Sequence, residues 1–277
     1  MSVNVRIKQK SLFKKKVDIE DILQLIHLPY GVCDENYRLI RNEIGNHTLI
    51  YDEKRLARGI DLSLEGSDIV LLLSLPTSLS EIKKYYEIIE MICKELHTKK
   101  FIREEEWVCI DDKELFIQAD VKASITGLEN LHEKLGTDEY KRFEIFGVFY
   151  PISIGSKEVN QFGNSLDKFE EYLHHIQSQD VYYACPRVYK VQDKFIGIYA
   201  IGSNVVSVVP TKPYIILNQI QGIEEWYVML RQGKTIQYID FINHIQHKEY
   251  FDMNHVVTIL NEDEIDDLLN NYSVEIK

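Results

Sequence analysis

The sequence predicts an α+β fold with mixed, mostly antiparallel sheets and flanking helices. Short apolar runs that alternate with polar residues recur along the 277-residue chain, as expected for half-buried strands. Turns containing glycine, proline or asparagine join most of these runs directly, without the crossover helices of a parallel sheet. Helical periodicity is confined to a few segments, most of which begin at a capping residue.

The first predicted strand has one apolar and one basic face. Val3, Val5 and Ile7 alternate with polar residues, which is the two-residue period of a strand. The basic face indicates either contact with phosphate or an acidic partner, or an edge strand that lysines protect from aggregation. We favour the edge strand because the rest of the chain is acidic. The basic residues are Arg6, Lys8, Lys10, Lys14, Lys15 and Lys16.

Two helices of the first half begin at recognisable caps. Asp18 is the expected N-cap of a short helix, and Ser78 with Glu81 forms a capping-box pattern before a longer one. Apolar residues at every third or fourth position give the longer helix one buried stripe, in which Cys93 is a core thiol. The other predicted elements of this half are strands at 60–65 and 68–75 around a hairpin turn, one or two strands in 101–110, and a helix over 112–135 that Thr126-Gly127 interrupts.

The best candidate boundary lies at Gly136-Thr137-Asp138, between two halves with a similar order of elements. We therefore expect two packed α+β modules, 1–138 and 139–277, with one continuous domain as the alternative. The second half opens with an apolar run that fits a strand covered on both faces. Its predicted elements are strands at 143–154, 181–189, 195–201, 205–209, 225–231 and 255–260, and helices at 166–176, at 238–245 and after the Asn261 cap.

Composition limits the classes of partner. The formal net charge is −12, which disfavours nucleic acid and anionic membranes and would attract a basic protein. Four cysteines without a paired motif are expected to be reduced and mostly buried. Because the chain starts without an apolar leader and has no run long enough to span a bilayer, we expect a cytoplasmic protein.

Familiar cofactor and metal patterns give no strong candidate. Gly155-Ser156-Lys157 precedes a helix but lacks the full phosphate-loop pattern, so no cofactor is expected. Neither the G-x-S-x-G motif nor a protease-type cysteine context occurs. A group of acids and histidines could ligate a metal, but most of them are expected to face water, and no metal site is predicted. That group is Asp240, His244, His247, Glu249 and His255.

The aromatic residues of the second half are the first candidate for a binding surface. Tyrosine and arginine together are typical of interaction hot spots, although ordinary packing of a tyrosine-rich sheet is the alternative. The candidate residues are Tyr182, Tyr183, Arg187, Tyr189 and Tyr199. A rival hypothesis is an enzyme whose pocket Arg187, Tyr189 and His255 line together.

Several stretches together resemble an uncharacterised bacterial family known only as a domain of unknown function. They cover nearly the whole chain, and the resemblance implies no activity and no catalytic residues. The stretches are Leu28-Pro-Tyr-Gly-Val-Cys-Asp-Glu-Asn-Tyr-Arg, His47-Thr-Leu-Ile-Tyr-Asp, Leu75-Pro-Thr, Phe146-Gly-Val-Phe-Tyr-Pro-Ile-Ser, Tyr182-Tyr-Ala-Cys-Pro-Arg and Glu225-Trp-Tyr-Val.

The function expected from the sequence is that of a cytoplasmic, non-enzymatic binding or interaction protein. An immunity-type inhibitor of a basic toxin is one concrete form of it. The alternatives are an enzyme with an active site in the C-terminal half and a structural homo-oligomer. The sequence pattern leaves the oligomeric state open.

Overall fold

The computed structural model describes residues 1–9, 16–34, 38–136, 141–216 and 222–276. Within these ranges, helices and several mostly antiparallel sheets confirm the α+β class. Lys10, Lys14 and Lys15 of the basic segment lie outside the described residues, as do Thr137 and Asp138 of the expected boundary. The two-module division at 138 therefore stays a prediction.

The described chain divides into two compact units, Met1–Ser178 and Gln179–Lys277. The first is built on an eight-stranded antiparallel sheet with strand order β3-β2-β4-β5-β6-β1-β7-β8. Its strands are β1 (Ser2–Ile7), β2 (Tyr30–Cys33), β3 (Leu39–Arg41), β4 (His47–Ile50), β5 (Ile60–Glu65), β6 (Asp68–Ser74), β7 (Lys100–Arg103) and β8 (Glu106–Cys109).

Helices cover the sheet of the first unit and enclose its core. As expected, Asp18 caps the first helix. Ser78 accepts a hydrogen bond from the Glu81 amide at the start of the second, but the expected capping box is incomplete, because the Glu81 carboxylate accepts from Gly59 and Thr77 instead. Cys93 is buried, and burial raises its pKa to about 12. The helices are α1 (Ile19–Ile26), α2 (Leu79–Glu95), α3 (Lys113–Leu135), α4 (Ser156–Phe162) and α5 (Leu166–Gln177), and a hairpin of β9 (Phe143–Phe146) and β10 (Pro151–Ile154) completes the unit.

The second unit contains two smaller sheets. The strand order of one is β11-β14-β18-β17 and that of the other is β12-β13-β15-β16-β19. Helices α6 (Tyr238–His244) and α7 (Glu262–Tyr272) pack against the second of these sheets. The strands are β11 (Tyr182–Tyr183), β12 (Arg187–Val191), β13 (Lys194–Ala200), β14 (Ser207–Pro210), β15 (Ile223–Arg231), β16 (Lys234–Gln237), β17 (Glu249–Tyr250), β18 (His255–Thr258) and β19 (Ser273–Val274).

The edge-strand interpretation of β1 is wrong. The strand lies inside the sheet, paired with β6 on one side and β7 on the other. Its basic residues have partners within the unit, because Arg6 forms ion pairs with Glu65 and Asp68. Lys8 lies over the ring of Trp107. Arg6 and Lys8 therefore contact other residues of the same unit.

Three other expectations for individual elements are also corrected. Residues 143–154 form a hairpin rather than one strand, and 181–189 contributes to two strands in different sheets. Helix α3 runs through Gly127 without a break. Glycine fits there because a Cβ atom would lie only 3.3 Å from the Pro76 ring.

The cysteines are less buried than expected. Cys93 is fully buried, whereas Cys33 is exposed and Cys109 and Cys185 are half-buried. Alternation alone places a residue on a face of a strand, but it does not show how completely other elements cover that face.

In the described part of the chain, no helix has the length and apolar character needed to cross a membrane.

The β9–β10 hairpin depends on one buried glutamine. The Gln177 side chain accepts hydrogen bonds from the amides of Phe149 (2.7 Å) and Tyr150 (3.0 Å) and donates to the carbonyl of Tyr150 (3.0 Å). A Cβ atom on Gly147 would lie 2.2 Å from its Nε2 atom. The hairpin turn therefore requires glycine at this position.

We expect Gly147→Ala to destabilise the first unit by about 2 kcal/mol, because overpacking forces Gln177 from its hydrogen bonds. Denaturant unfolding of the single variants and of Gly147→Ala/Gln177→Ala measures the coupling between the two positions. The methyl group added at position 147 should cost far less when Gln177 is already replaced by alanine. Equal costs in both backgrounds would contradict this account of the turn.

Candidate functional site

The tyrosines proposed from the sequence do not form one exposed surface. Tyr183 and Tyr199 are buried, and Tyr182 is half-buried. Arg187 and Tyr189 are exposed on β12, an outer strand of the five-stranded sheet. The set therefore separates into a buried part that organises the second unit and an exposed part at a sheet edge.

A buried aspartate–histidine pair lies at the centre of the buried part. Asp252 and His255 are each 1% exposed, and Asp252 Oδ1 lies 2.7 Å from His255 Nδ1. The same oxygen accepts hydrogen bonds from the backbone amides of Asn254 and His255. A carboxylate only accepts hydrogen bonds, so His255 Nδ1 carries the proton that it donates to Asp252.

Two tyrosine hydroxyl groups lie at the other side of the imidazole. The Tyr183 hydroxyl is 2.9 Å from His255 Nε2, and the Tyr214 hydroxyl is 3.1 Å from the same atom. Burial raises the pKa of Tyr183 well above its usual range, so this hydroxyl stays protonated and can donate. The pair and the two tyrosines together connect β11, β18 and the segment after β14.

The segment that follows β14 is held at both ends by buried groups. The Thr211 amide donates to the Asn254 carbonyl at 2.6 Å. At Tyr214, the Tyr199 hydroxyl donates to the backbone carbonyl (2.8 Å) and accepts from the amide (3.2 Å). With the Tyr214 side chain fixed at His255, residues 211–214 have a defined path over the sheet.

This fixed segment forms one wall of a groove of about 280 Å³ in the second unit. A second wall comes from the start of β15, and a third comes from α6 and the residue before it. The groove is the candidate binding site because it combines aromatic and aliphatic walls with carboxylates. Its lining residues are Thr211, Lys212, Pro213, Glu224, Glu225, Trp226, Tyr227, Gln237, Tyr238, Ile239 and Ile242.

A glycine on the neighbouring strand positions the Trp226 ring. Gly197 pairs with Trp226 across β13 and β15, and a Cβ atom on Gly197 would lie 2.3 Å from the indole ring. The indole therefore lies over the glycine. The ring of buried Tyr199 contacts the Trp226 ring, with centroids 6.1 Å apart, and the Tyr238 ring, with centroids 5.0 Å apart. Tyr199 thus supports two residues that line the groove.

Two carboxylates give the groove a negative end. Lys194 Nζ lies 3.2 Å from Glu225 Oε1 and 3.7 Å from Glu224 Oε2. The Tyr227 hydroxyl donates a hydrogen bond to Glu225 Oε2. Hydrogen bonds from Tyr227 and then Lys194 lower the pKa of Glu225, so this carboxylate is ionised at neutral pH.

The residues that the sequence suggested for a metal or a phosphate have other contacts. The His244 ring stacks on Tyr272 at 4.4 Å, and His247 Nε2 lies 3.1 Å from Glu249. Across the described ranges, no group of three or more metal-ligating side chains is found. At Gly155, the backbone amide donates to the Glu158 carboxylate (2.8 Å), so a side chain of the protein itself occupies this helix start.

The sequence pattern indicates part of the buried network but not the groove. Tyr183, Tyr199 and His255 were candidates, but Asp252 and Tyr214 were not, although the D-x-x-H spacing of Asp252 and His255 allows a local carboxylate–imidazole contact. Trp226 was noted only as part of a family stretch. Its role depends on Gly197 in another strand, and this pairing cannot be read from local spacing.

A family model described as a domain of unknown function, DUF4299, matches residues 2–268, which is nearly the whole chain. The chain belongs to the DUF4299 family. This confirms the family resemblance seen in the sequence. No curated protein and no solved structure matches this DUF4299 chain significantly.

Replacing tyrosine by phenylalanine tests the buried network of this DUF4299 protein. We expect Tyr183→Phe to lower the free energy of unfolding of the second unit by about 1–2 kcal/mol, because it removes a buried hydrogen bond to His255. Tyr189→Phe, on exposed β12, should change it by less than about 0.5 kcal/mol.

Trp226 fluorescence reports unfolding of the second unit in a Trp107→Phe background, since the chain has only these two tryptophans. Equal effects of the two tyrosine replacements would show that the network does not stabilise the unit.

Proposed function

We propose that this protein is a non-enzymatic binding protein whose partner is a basic protein, and that the partner places a cationic side chain in the groove of the second unit. The observation that carries the proposal is that Trp226, Glu224 and Glu225 line the same groove. An indole face and a carboxylate both attract an ammonium or guanidinium group.

The charge of the whole chain supports the same choice of partner. A net charge of −12 raises the rate at which a basic protein meets the acidic surface. The apolar part of the groove, formed by Pro213, Tyr238 and Ile242, would then cover the aliphatic stem of the inserted side chain. Lys212 also lines the groove and opposes a cation, so the negative end at Glu224 and Glu225 is the expected position of the charge.

This function fits a bacterial, cytoplasmic protein, and inhibition of a basic toxin is one form that it could take. An inhibitor needs an acidic surface with a defined anchor point, since long-range attraction sets the rate of encounter and close packing sets the lifetime of the complex. The groove would provide the anchor point for the partner, and the remaining acidic surface would provide the long-range attraction.

The binding proposal is tested with acetylated and amidated hexalysine as the probe. In the Trp107→Phe background we expect saturable quenching or shift of Trp226 fluorescence, weakened by added salt. Glu224→Gln/Glu225→Gln should lower the affinity about tenfold, because two exposed charge interactions are lost.

The matched control is Asp263→Asn/Asp267→Asn on α7, which removes the same charge at a different groove. It should change the affinity less than about twofold. If both pairs of substitutions weaken binding equally, the attraction is general and the groove is not the site.

An enzyme remains the second candidate, because a buried carboxylate–imidazole–hydroxyl arrangement of Asp252, His255 and Tyr183 is a type used in general acid–base catalysis. Catalysis requires that a substrate reach the imidazole. Arg187 and Tyr189, the proposed partners of His255, lie on a different sheet and are exposed, whereas His255 is buried.

Access to His255 separates the two candidates. We expect diethylpyrocarbonate to modify exposed His97 quickly and His255 only on unfolding, as measured by mass spectrometry of proteolytic peptides. Modification of His255 in the native protein at the rate of His97 would favour the enzyme.

A further inference from the structure

The negative end of the groove already holds a cation from the protein itself. The Lys194 ammonium bridges Glu224 and Glu225 from the first residue of β13, next to the strand that carries both carboxylates. All three side chains are about half exposed, with fractions of 55%, 55% and 43%. A solvated ion pair of this kind is weak and can exchange its partner.

The arrangement around Glu225 favours an ammonium group at this position. Tyr227 donates to Oε2 of Glu225, which leaves Oε1 and the neighbouring Glu224 as the acceptors. These acceptors belong to two residues, so a compact cation with several N–H donors can bridge them, as Lys194 does. A guanidinium that needs both oxygens of one carboxylate would compete with the Tyr227 hydroxyl at Glu225.

We propose that Lys194 is an internal occupant of the cation site, and that a lysine side chain of the basic partner binds by displacing the Lys194 ammonium from Glu224 and Glu225. This inference rests on the proposed function and adds its mechanism. The incoming lysine gains contact with Trp226 along the groove, whereas Lys194 approaches the carboxylates from the neighbouring strand. After displacement the Lys194 ammonium is solvated by water, so the loss of its ion pairs costs little free energy.

The two possible roles of Lys194, internal competitor and structural ion pair, predict opposite changes in ligand affinity when Lys194 is removed. If Lys194 only stabilised the groove, its removal would weaken binding of a ligand. If it competes, its removal frees two carboxylates and strengthens binding. The same substitution also lowers the positive charge of the unit, which strengthens attraction of any cation at long range. A control for this general effect is therefore required.

Lys190 provides the control. It is exposed on β12 in the same hairpin as Lys194, and its residue pairs with Phe195 across the two strands. Lys190→Met and Lys194→Met change the net charge equally, but only Lys194→Met removes the cation that bridges Glu224 and Glu225.

The experiment measures hexalysine affinity through Trp226 fluorescence in full-length Trp107→Phe protein. We expect Lys194→Met to bind about two- to fivefold more tightly, the range of an exposed ion pair, and Lys190→Met to change affinity by less than about twofold. Circular dichroism should show the same fold for both variants. Equal affinities of the two variants, or weaker binding by Lys194→Met, would overturn the displacement.

A second measurement follows Lys194 directly. Hydrogen bonding to Glu225 raises the pKa of Lys194 in the free protein. On saturation with hexalysine, side-chain NMR of Lys194 should show its pKa falling toward that of a lysine in water. An unchanged Lys194 signal during saturable binding would contradict the displacement of Lys194 but would leave the groove as a binding site. Absence of saturable binding in wild type and in Lys194→Met would instead reject the proposed function itself.

Discussion

The contact between Asp252 and His255 is the constraint on which the second unit depends. A carboxylate removed from water is costly unless its oxygens accept strong hydrogen bonds. Here one oxygen accepts from two backbone amides and from the imidazole, which in turn presents Nε2 to Tyr183 and Tyr214. The hydrogen bonds are linked through the imidazole, so the loss of one member weakens the contacts of the others.

The groove is a consequence of this buried arrangement. Tyr214 is held by its side chain at His255 and by its backbone at Tyr199, and Thr211 is held by its amide at the Asn254 carbonyl. Tyr199 also contacts the rings of Trp226 and Tyr238. The same buried groups therefore contact residues on or next to all three walls, and this support lowers the cost of ordering the groove on binding.

The exposed end of the groove has a different physical character. Glu224, Glu225 and Lys194 remain in contact with water, so their interactions are individually weak and sensitive to salt. Such groups suit recognition better than stability, because they can exchange one cationic partner for another. The aromatic walls thus give the groove its shape, and the exposed charges recognise the cation.

Local patterns in the sequence predicted the fold class, the capped helices and the 65–68 turn, because these depend on neighbours a few residues apart. The interior position of β1 was missed, since a basic face indicates an edge strand whether Arg6 contacts water or pairs with Glu65 and Asp68. The groove was missed for the same reason. The position of the Trp226 ring depends on Gly197 and Tyr199 on another strand. The spacing of residues along the sequence does not reveal such long-range pairing.

The most direct test of the account is the map of amide and indole chemical shifts of the second unit during titration with hexalysine. We expect the signals of the Trp226 indole and of the amides of Lys212, Glu224 and Glu225 to shift together and to saturate at one hexalysine concentration. Shifts confined to the acidic helix α7, or spread without saturation over the exposed acidic residues, would contradict it.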